Sequence, residues 1–290
     1  NKKSVTKPTS PANKVYNAEE QNHGISVPEG TSIVTNGSTL KATNVGTYDV
    51  IFTLNSNYKW SDGTTSNVTI QWKITAYNLS NATIGSISDQ TYTGSEIKPT
   101  PSVTVPIPSG SKSTPTYTTT YSNNMNVGTA TITLTGTGNY TGTKNVTFKI
   151  NKANNPVIVK ANTLTYNGKE QELITVSNIK GNICYSYNPI SSCSKNESIP
   201  KKINAGEYTV YYFVSGDNNY NSKSGNIKVN INKKVITKPV SSSDKTYNGT
   251  IQNSNIVKPD GVSIKNGSIE SATNVGKYNI TYILDQNHIW

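Results

Sequence analysis

The residues best able to do chemistry are Cys184 and Cys193, the only two cysteines in the chain. They flank Asn188-Pro189 symmetrically, a pattern typical of a hairpin with facing cysteines, so we expect a disulfide between them. In the chain-entropy account, so short a ring stabilises the fold by about 2–3 kcal/mol. A reduced pair, as in a cytosolic protein, is the alternative interpretation. A metal site is disfavoured, because neither histidine lies at a ligand spacing.

The remaining catalytic residue types are scattered along the chain. His23 and His288 are far apart, and neither has a Cys or Ser beside it in a catalytic arrangement. The carboxylates form no Asp-x-Asp-x-Asp-Gly run of the kind that binds calcium. Because the sequence offers no nucleophile–base or metal constellation, we expect no enzymatic activity, no catalytic residue, no cofactor and no metal.

Aromatic residues are the other candidates for a binding function, since exposed aromatic faces stack on sugars. The chain has 18 tyrosines and 3 tryptophans, and most of those in strands alternate onto core faces. The candidates for a ligand-facing role lie in or near one recurring turn: Tyr58, Trp60, Tyr140 and Tyr220. A structural role competes with this interpretation, because the recurring Asn-Tyr pair is also what a device for fixing the turn would use.

Net charge and hydropathy limit the kinds of partner that the chain can have. The net charge of +11 is carried by lysine alone, and lysine lacks the planar fork that reads phosphate and guanine. We therefore expect no nucleic-acid partner. The charge reflects either a solvated surface or attraction to an acidic cell surface. No run of about 18 apolar residues is present, so we expect no membrane span.

The element that positions these residues is a repeated tight turn, which we call the corner, followed by a strand. Asn44-Val45-Gly46-Thr47-Tyr48 recurs, in whole or in part, at 126–130, 204–208 and 274–278. Residues after each copy alternate between apolar and polar types, the period of a half-buried β-strand. Since Asn and Gly tolerate positive φ, we expect a tight corner there.

The repeats predict an all-β chain of tandem immunoglobulin-like β-sandwich modules, arranged end to end as a monomeric rod. The predicted modules cover residues 1–75, 76–151, 152–233 and 234–290. The fourth is expected to be truncated before its last strand, which leaves the edge of the 278–284 strand exposed and the module poorly ordered.

The corner resembles the tyrosine corner of immunoglobulin-like domains, in which a Tyr hydrogen-bonds to upstream backbone. The residues of this structural corner are Asn44, Gly46, Tyr48, Asn126, Gly128, Asn204, Gly206, Tyr208, Asn274, Gly276 and Tyr278. Ala130 takes the place of the Tyr in the second copy. The longer pattern, Tyr-x-Gly, Asn-x-Gly-x-Tyr, Asn-Tyr and a final Lys-Ile, is similar to the MBG and YDG families of bacterial repeats.

The resemblance implies a stalk or spacer segment of a secreted or cell-surface protein of the adhesin type, located outside the cell, at its surface or in its wall. The alternative is a binding module, in which loops such as Gly110–Pro115 or Cys184–Cys193 contact a cell-wall or host glycan or protein. If the chain is a spacer, we expect its copies to differ mainly in their loops and to form no aromatic cleft. If it is a binding module, we expect several exposed aromatic residues beside Asn or Asp.

Overall fold

The computed structural model describes residues 1–106 and 114–290, which form two compact units, Asn1–Asn151 and Lys152–Trp290. The all-β class is confirmed: within the described residues the only helical element is a 3-10 turn at Leu79–Asn81. We use segments 1 to 4 as names for residues 1–75, 76–151, 152–233 and 234–290. The loop candidate at Gly110–Pro115 lies largely outside the described residues.

The first unit contains segments 1 and 2. Its strands are β1 (Lys3–Val5), β2 (Lys14–Val15), β3 (Gln21–Asn22), β4 (Thr31–Val34), β5 (Lys41–Ala42), β6 (Gly46–Leu54), β7 (Tyr58–Trp60), β8 (Val68–Thr75), β9 (Tyr77–Asn78), β10 (Thr83–Ile84), β11 (Gln90–Thr91), β12 (Val103–Thr104), β13 (Tyr117–Ser122), β14 (Gly128–Gly136), β15 (Tyr140–Thr141) and β16 (Thr143–Asn151).

Each segment of this unit is built on one four-stranded sheet, in the order β2-β8-β6-β4 and β11-β16-β14-β13. The first strand of each order lies parallel to the second, and the other pairs are antiparallel. Four shorter pairs add to these sheets among the described residues: β1 with β7, β3 with β5, β9 with β15 and β10 with β12. The long strands β6 and β14 begin at Gly46 and Gly128, as the repeated corner predicts.

The second unit contains segments 3 and 4. Its strands are β17 (Ile158–Ala161), β18 (Leu164–Thr165), β19 (Gln171–Glu172), β20 (Ile174–Ser177), β21 (Ile183–Ser186), β22 (Lys201–Lys202), β23 (Gly206–Val214), β24 (Lys223–Asn232), β25 (Lys234–Val235), β26 (Gln252–Asn253), β27 (Val262–Ile264), β28 (Ser271–Ala272), β29 (Tyr282–Leu284) and β30 (His288–Ile289).

Segment 3 repeats the same design, with a four-stranded sheet in the order β18-β24-β23-β21 and the pairs β17–β20 and β19–β22. The corner glycine has a constant place in the three sheets, because it faces the last buried apolar residue of the neighbouring long strand. The facing pairs are Gly46 with Ile74, Gly128 with Ile150 and Gly206 with Ile231.

Segment 4 is smaller in regular structure. The strand expected over 278–284 is reduced to β29, which pairs with β27 alone among the described residues. Residues 278–281 lie in no strand. The expectation of a long strand was therefore wrong there, because a strand without partners on both sides leaves its backbone groups to water instead of a ladder.

The buried cores show which segments share an interior. Leu79 and Tyr140 of segment 2 belong to the same buried cluster as Val50, Phe52 and Trp72 of segment 1. Segment 2 also has its own cluster around Ile132 and Phe148, and segment 3 has clusters around Val210 and Val214. Part of segment 2 is therefore packed into the core of segment 1, while the rest of segment 2 keeps a core of its own.

Candidate functional site

The repeated tyrosine folds back over its own corner. The Tyr48 hydroxyl donates a hydrogen bond of 2.6 Å to the carbonyl oxygen of Asn44, four residues upstream. Tyr208 and Tyr278 make the same bond to Asn204 and Asn274, at 2.8 and 2.7 Å. In segment 2 the corner is built without this bond, and Ala130 is fully buried instead.

The corner glycine makes room for that ring. A Cβ on Gly46 would lie 2.9 Å from both the Cζ and the hydroxyl oxygen of Tyr48, closer than van der Waals contact allows. The expected positive φ is found at Gly128 and Gly206 but not at Gly46 or Gly276. At Gly46, therefore, the close approach of the tyrosine, and not a left-handed backbone, accounts for the glycine.

The same corner also receives a side chain from the next segment. The backbone N–H of Val45 donates to Oδ1 of Asn139 at 2.8 Å, and Nδ2 of Asn139 donates to Oδ1 of Asn44 at 3.0 Å. Asn139 thus satisfies a backbone donor and a side-chain acceptor of the preceding segment at once. We call this contact between an Asn-aromatic dipeptide and the preceding corner the joint.

The aromatic half of the dipeptide closes the joint. Tyr140 is only 4% exposed and meets Tyr16 of segment 1 edge to face, with ring centroids 5.4 Å apart at 75°. Tyr77, which begins segment 2's first strand, packs edge to face against Tyr140 from another side, with ring centroids 6.2 Å apart and an interplanar angle of 67°. Edge-to-face pairs of this kind contribute about 0.5–1.5 kcal/mol beyond the area they bury.

The second unit contains a joint of the same design. The N–H of Ala205 donates to Oδ1 of Asn287 at 2.8 Å, and Nδ2 of Asn287 donates to Oδ1 of Asn204 at 3.2 Å. His288 stands where the first joint has Tyr140. It is 5% exposed and meets Tyr166 edge to face at 5.2 Å and 80°. The two joints therefore use equivalent atoms, although the aromatic residue is Tyr in one and His in the other.

A carboxylate holds the second dipeptide in place. Oδ1 of Asp285 accepts the Asn287 N–H at 2.9 Å and lies 2.7 Å from Nδ1 of His288. The hydrogen bond with His288 is the main reason that the pKa of Asp285 lies below its ordinary value. Asp217 serves the Asn219-Tyr220 dipeptide of segment 3 similarly, accepting both backbone N–H groups at 2.8 and 2.9 Å.

Two of the four candidate ligand-facing aromatics are buried, so that prediction was wrong for Trp60 and Tyr140. Trp60 is 0% exposed because it packs in the buried cluster of segment 1, where its indole N–H donates to the Ser66 carbonyl oxygen at 2.8 Å. Tyr140 is covered by the joint. Tyr58 and Tyr220 are half-buried, with the ammonium groups of Lys3 and Lys180 5.8 and 5.7 Å from their ring centroids.

Cys184 and Cys193 are joined in a disulfide, with Cα atoms 5.5 Å apart. The expected hairpin is absent: Cys184 lies in β21, whereas residues 187–200 contain no strand. The sulfur of each cysteine lies within 3.2 Å of the Lys195 carbonyl oxygen. The disulfide therefore fastens an irregular loop to the edge strand of the segment 3 sheet.

Metal-binding groupings are not found among the described residues. Within 1–106 and 114–290, no cluster of three or more His, Cys, Asp or Glu side chains could hold a metal ion. A search of the same residues finds no helix long and apolar enough to cross a membrane. His23 accepts the Ile25 N–H at 2.9 Å, an ordinary local contact.

No family model matches the chain, and no curated protein does. Among solved structures, the chain is similar to domains 1–6 of the surface layer protein SbsC, at 15% identity and a TM-score of 0.27, covering 89% of this chain and 43% of that one. It is also similar to the protocadherin gammaB7 EC3-6 cis-dimer structure, at 11% identity and a TM-score of 0.26, covering 98% and 90%. The chain thus spans less than half of the SbsC fragment.

Proposed function

We propose that the chain is a non-catalytic stalk or spacer segment of an extracellular or cell-surface protein, made of four immunoglobulin-like modules of the MBG or YDG type that correspond to segments 1 to 4. The observation that carries the proposal is the joint, built twice with equivalent hydrogen bonds between consecutive segments. A spacer needs such a contact, because it must hold its modules at a fixed angle.

The connections between segments support this role. β8 ends at Thr75 and the next strand, β9, begins at Tyr77, where the Tyr77 N–H donates to the Asn139 carbonyl oxygen at 3.0 Å. In segment 4 the Lys234 N–H donates to the Asn287 carbonyl oxygen at 2.9 Å. The linker is therefore a strand that pairs with the Asn-aromatic dipeptide, and so short a connection restricts motion far more than a flexible tether would.

The disulfide supports an extracellular location. Disulfides persist in oxidising compartments and are rare in the cytosol, and Cys184 and Cys193 are paired. The described residues also lack a metal-binding cluster of His, Cys, Asp or Glu. The best remaining surface for the alternative, a glycan- or protein-binding module, is the irregular loop that the disulfide closes, next to the exposed ring of Tyr187.

The spacer role is tested by the distance distribution between spin labels on segments 1 and 2 of the full chain, attached at Asn36→Cys and Ser95→Cys, both exposed positions. We expect one narrow distribution, which broadens when Asn139→Ala removes the joint. Asn145→Ala is the matched control, because this exposed Asn lies on β16 of the same segment away from the joint. A broad distribution in the unsubstituted chain would contradict a rigid spacer.

A glycan and cell-surface binding screen of the full chain separates the spacer from the binder. We expect no saturable binding. Binding that is lost when the loop at 187–192 is replaced by a Gly/Ser sequence would instead favour the binding module.

A further inference from the structure

β21 is an edge strand of the segment 3 sheet: among the described residues it pairs with β23 on one side and with no strand on the other. The backbone N–H and C=O groups along such an edge can pair with another chain. Charged residues and prolines normally prevent this pairing, and Ile183–Ser186 contains neither. The outer edge of β21 is therefore kept from other chains by something outside the strand itself.

A short piece of irregular chain takes the place of the missing neighbouring strand. Oδ1 of Asn196 accepts from the Ile183 N–H and Oε2 of Glu197 accepts from the Tyr185 N–H, both at 2.9 Å. The Glu197 N–H donates to the Ile183 carbonyl oxygen at 3.0 Å. We call residues 193–197 the cover. It satisfies three backbone groups on the outer edge of β21, two of them with side chains.

The disulfide is the main fastening of the cover. Cys193, at its start, is bonded to Cys184 within β21. The other attachments are hydrogen bonds, including one of 3.0 Å from Nδ2 of Asn182 to the Ser194 carbonyl oxygen. Residues 194–197 are exposed, and hydrogen bonds at a surface compete with water and contribute little net stability. Opening the disulfide should therefore release the cover.

The uncovered edge fits the same edge of a second copy. An antiparallel pair of β21 strands about a twofold axis at Cys184 places Ile183 of each copy opposite Tyr185 of the other. These residues already direct backbone groups away from β23 and towards the cover, so two such pairs can exchange four backbone hydrogen bonds. Cys184 then lies opposite its own counterpart, at the about 4.5–5.5 Å between Cβ atoms that is usual for facing residues.

We propose that the loop closed by Cys184 and Cys193 guards a self-pairing surface, and that opening the disulfide lets two copies pair through β21 into one eight-stranded sheet. A dithiol reductant opens the bond by exchange: one thiolate attacks a cysteine sulfur and displaces the other cysteine as a thiolate. The second reductant thiolate then releases the attacked cysteine, which leaves two cysteine thiols and the disulfide of the reductant. The inference does not depend on the spacer role, because it concerns one edge of one segment.

The experiment is sedimentation velocity of the full chain at about 0.1 mM, where a micromolar dissociation constant gives mostly dimer. We expect the oxidised chain to be monomeric and the chain in dithiothreitol to be dimeric. Cys184→Ser with Cys193→Ser should dimerise without reductant. Cys184→Lys with Cys193→Ser is the matched control, because two lysines facing each other across the twofold axis repel. Its association should be at least about tenfold weaker.

Single-cysteine variants give the decisive result. Cys193→Ser leaves only the thiol of Cys184, which is 8% exposed, and Cys184→Ser leaves only the half-buried Cys193. If accessibility alone governed cross-linking between chains by oxidised glutathione, Cys193 would react faster. Pairing through β21 predicts the reverse: the Cys193→Ser chain should form disulfide-linked dimers at least about tenfold faster, since its thiols are held opposite each other. Faster cross-linking through Cys193, or an unsubstituted chain that stays monomeric in dithiothreitol, overturns the proposal.

Discussion

Removing one side chain from segment 2 should destabilise segment 1. Asn139→Ala eliminates the acceptor for the Val45 N–H and the donor to Asn44, two hydrogen bonds of 2.8 and 3.0 Å. Val45 is half-buried, so its bond is worth about 1–1.5 kcal/mol, and the more exposed bond to Asn44 adds about 0.5 kcal/mol. We expect a total loss of about 2 kcal/mol in the free energy of unfolding.

Tryptophan fluorescence in urea measures this loss selectively. Trp60 and Trp72 are buried in segment 1, and a Trp290→Phe background removes the third tryptophan. With a denaturant dependence of about 2 kcal/mol per M, the midpoint should fall by about 1 M urea. Because the probes lie in segment 1 and the substitution lies in segment 2, such a shift shows that the stability of segment 1 depends on its contact with segment 2.

The control for this prediction is Asn145→Ala in the same background. Asn145 is exposed on β16 and should change the midpoint little, as surface substitutions away from special features do. If Asn139→Ala shifts the tryptophan transition no more than Asn145→Ala does, the joint does not couple the segments and the reasoning is refuted.

Three further predictions concern the corner, the disulfide and the second joint. Gly46→Ala should cost about 1–2 kcal/mol in urea unfolding, and clearly less in a Tyr48→Ala background, because the ring that the methyl group meets is then absent; equal costs would contradict the steric argument. Reducing the bond between Cys184 and Cys193 should lower stability by about 2.5 kcal/mol, whereas a chain with both cysteines replaced by Ala should not respond to reductant. The folded-state pKa of Asp285 is depressed, so its stabilisation is present above the unfolded pKa and is lost as the pH falls below about 4. Asp285→Asn should abolish this part of the acid sensitivity, measured as the amide exchange of Ala205 against pH.

The strand pattern could be predicted because it is local. Alternation after each corner glycine reports burial on one face of a sheet, and β6, β14 and β23 begin where that pattern does. The bond from the tyrosine to its own corner was expected from the resemblance to the tyrosine corner, and the Tyr48 hydroxyl does reach a carbonyl oxygen four residues upstream. The reason for the glycine at the corner could not be predicted, because the position of the tyrosine ring depends on its rotamer and packing.

The joint could not be predicted because it brings together residues that are far apart in the sequence. Asn139 and Val45 are 94 residues apart, and nothing in either local sequence shows which surface the other meets. The signal was the recurring Asn-Tyr pair, which the sequence led us to assign to its own turn or to a ligand. Tyr140 was misplaced because turns are normally exposed, whereas here a neighbouring segment covers the turn.

The most direct test of the joint is amide hydrogen exchange, followed by NMR on a dilute sample of the full chain. Val45 and Ala205 donate into a following segment, whereas Val275, at the equivalent position of segment 4, is exposed. The joint predicts that the first two amides exchange at least about tenfold more slowly than the third, and that Asn139→Ala releases Val45 alone. Exchange of all three amides at the same fast rate would contradict the central claim that the Asn-aromatic dipeptide fastens consecutive segments.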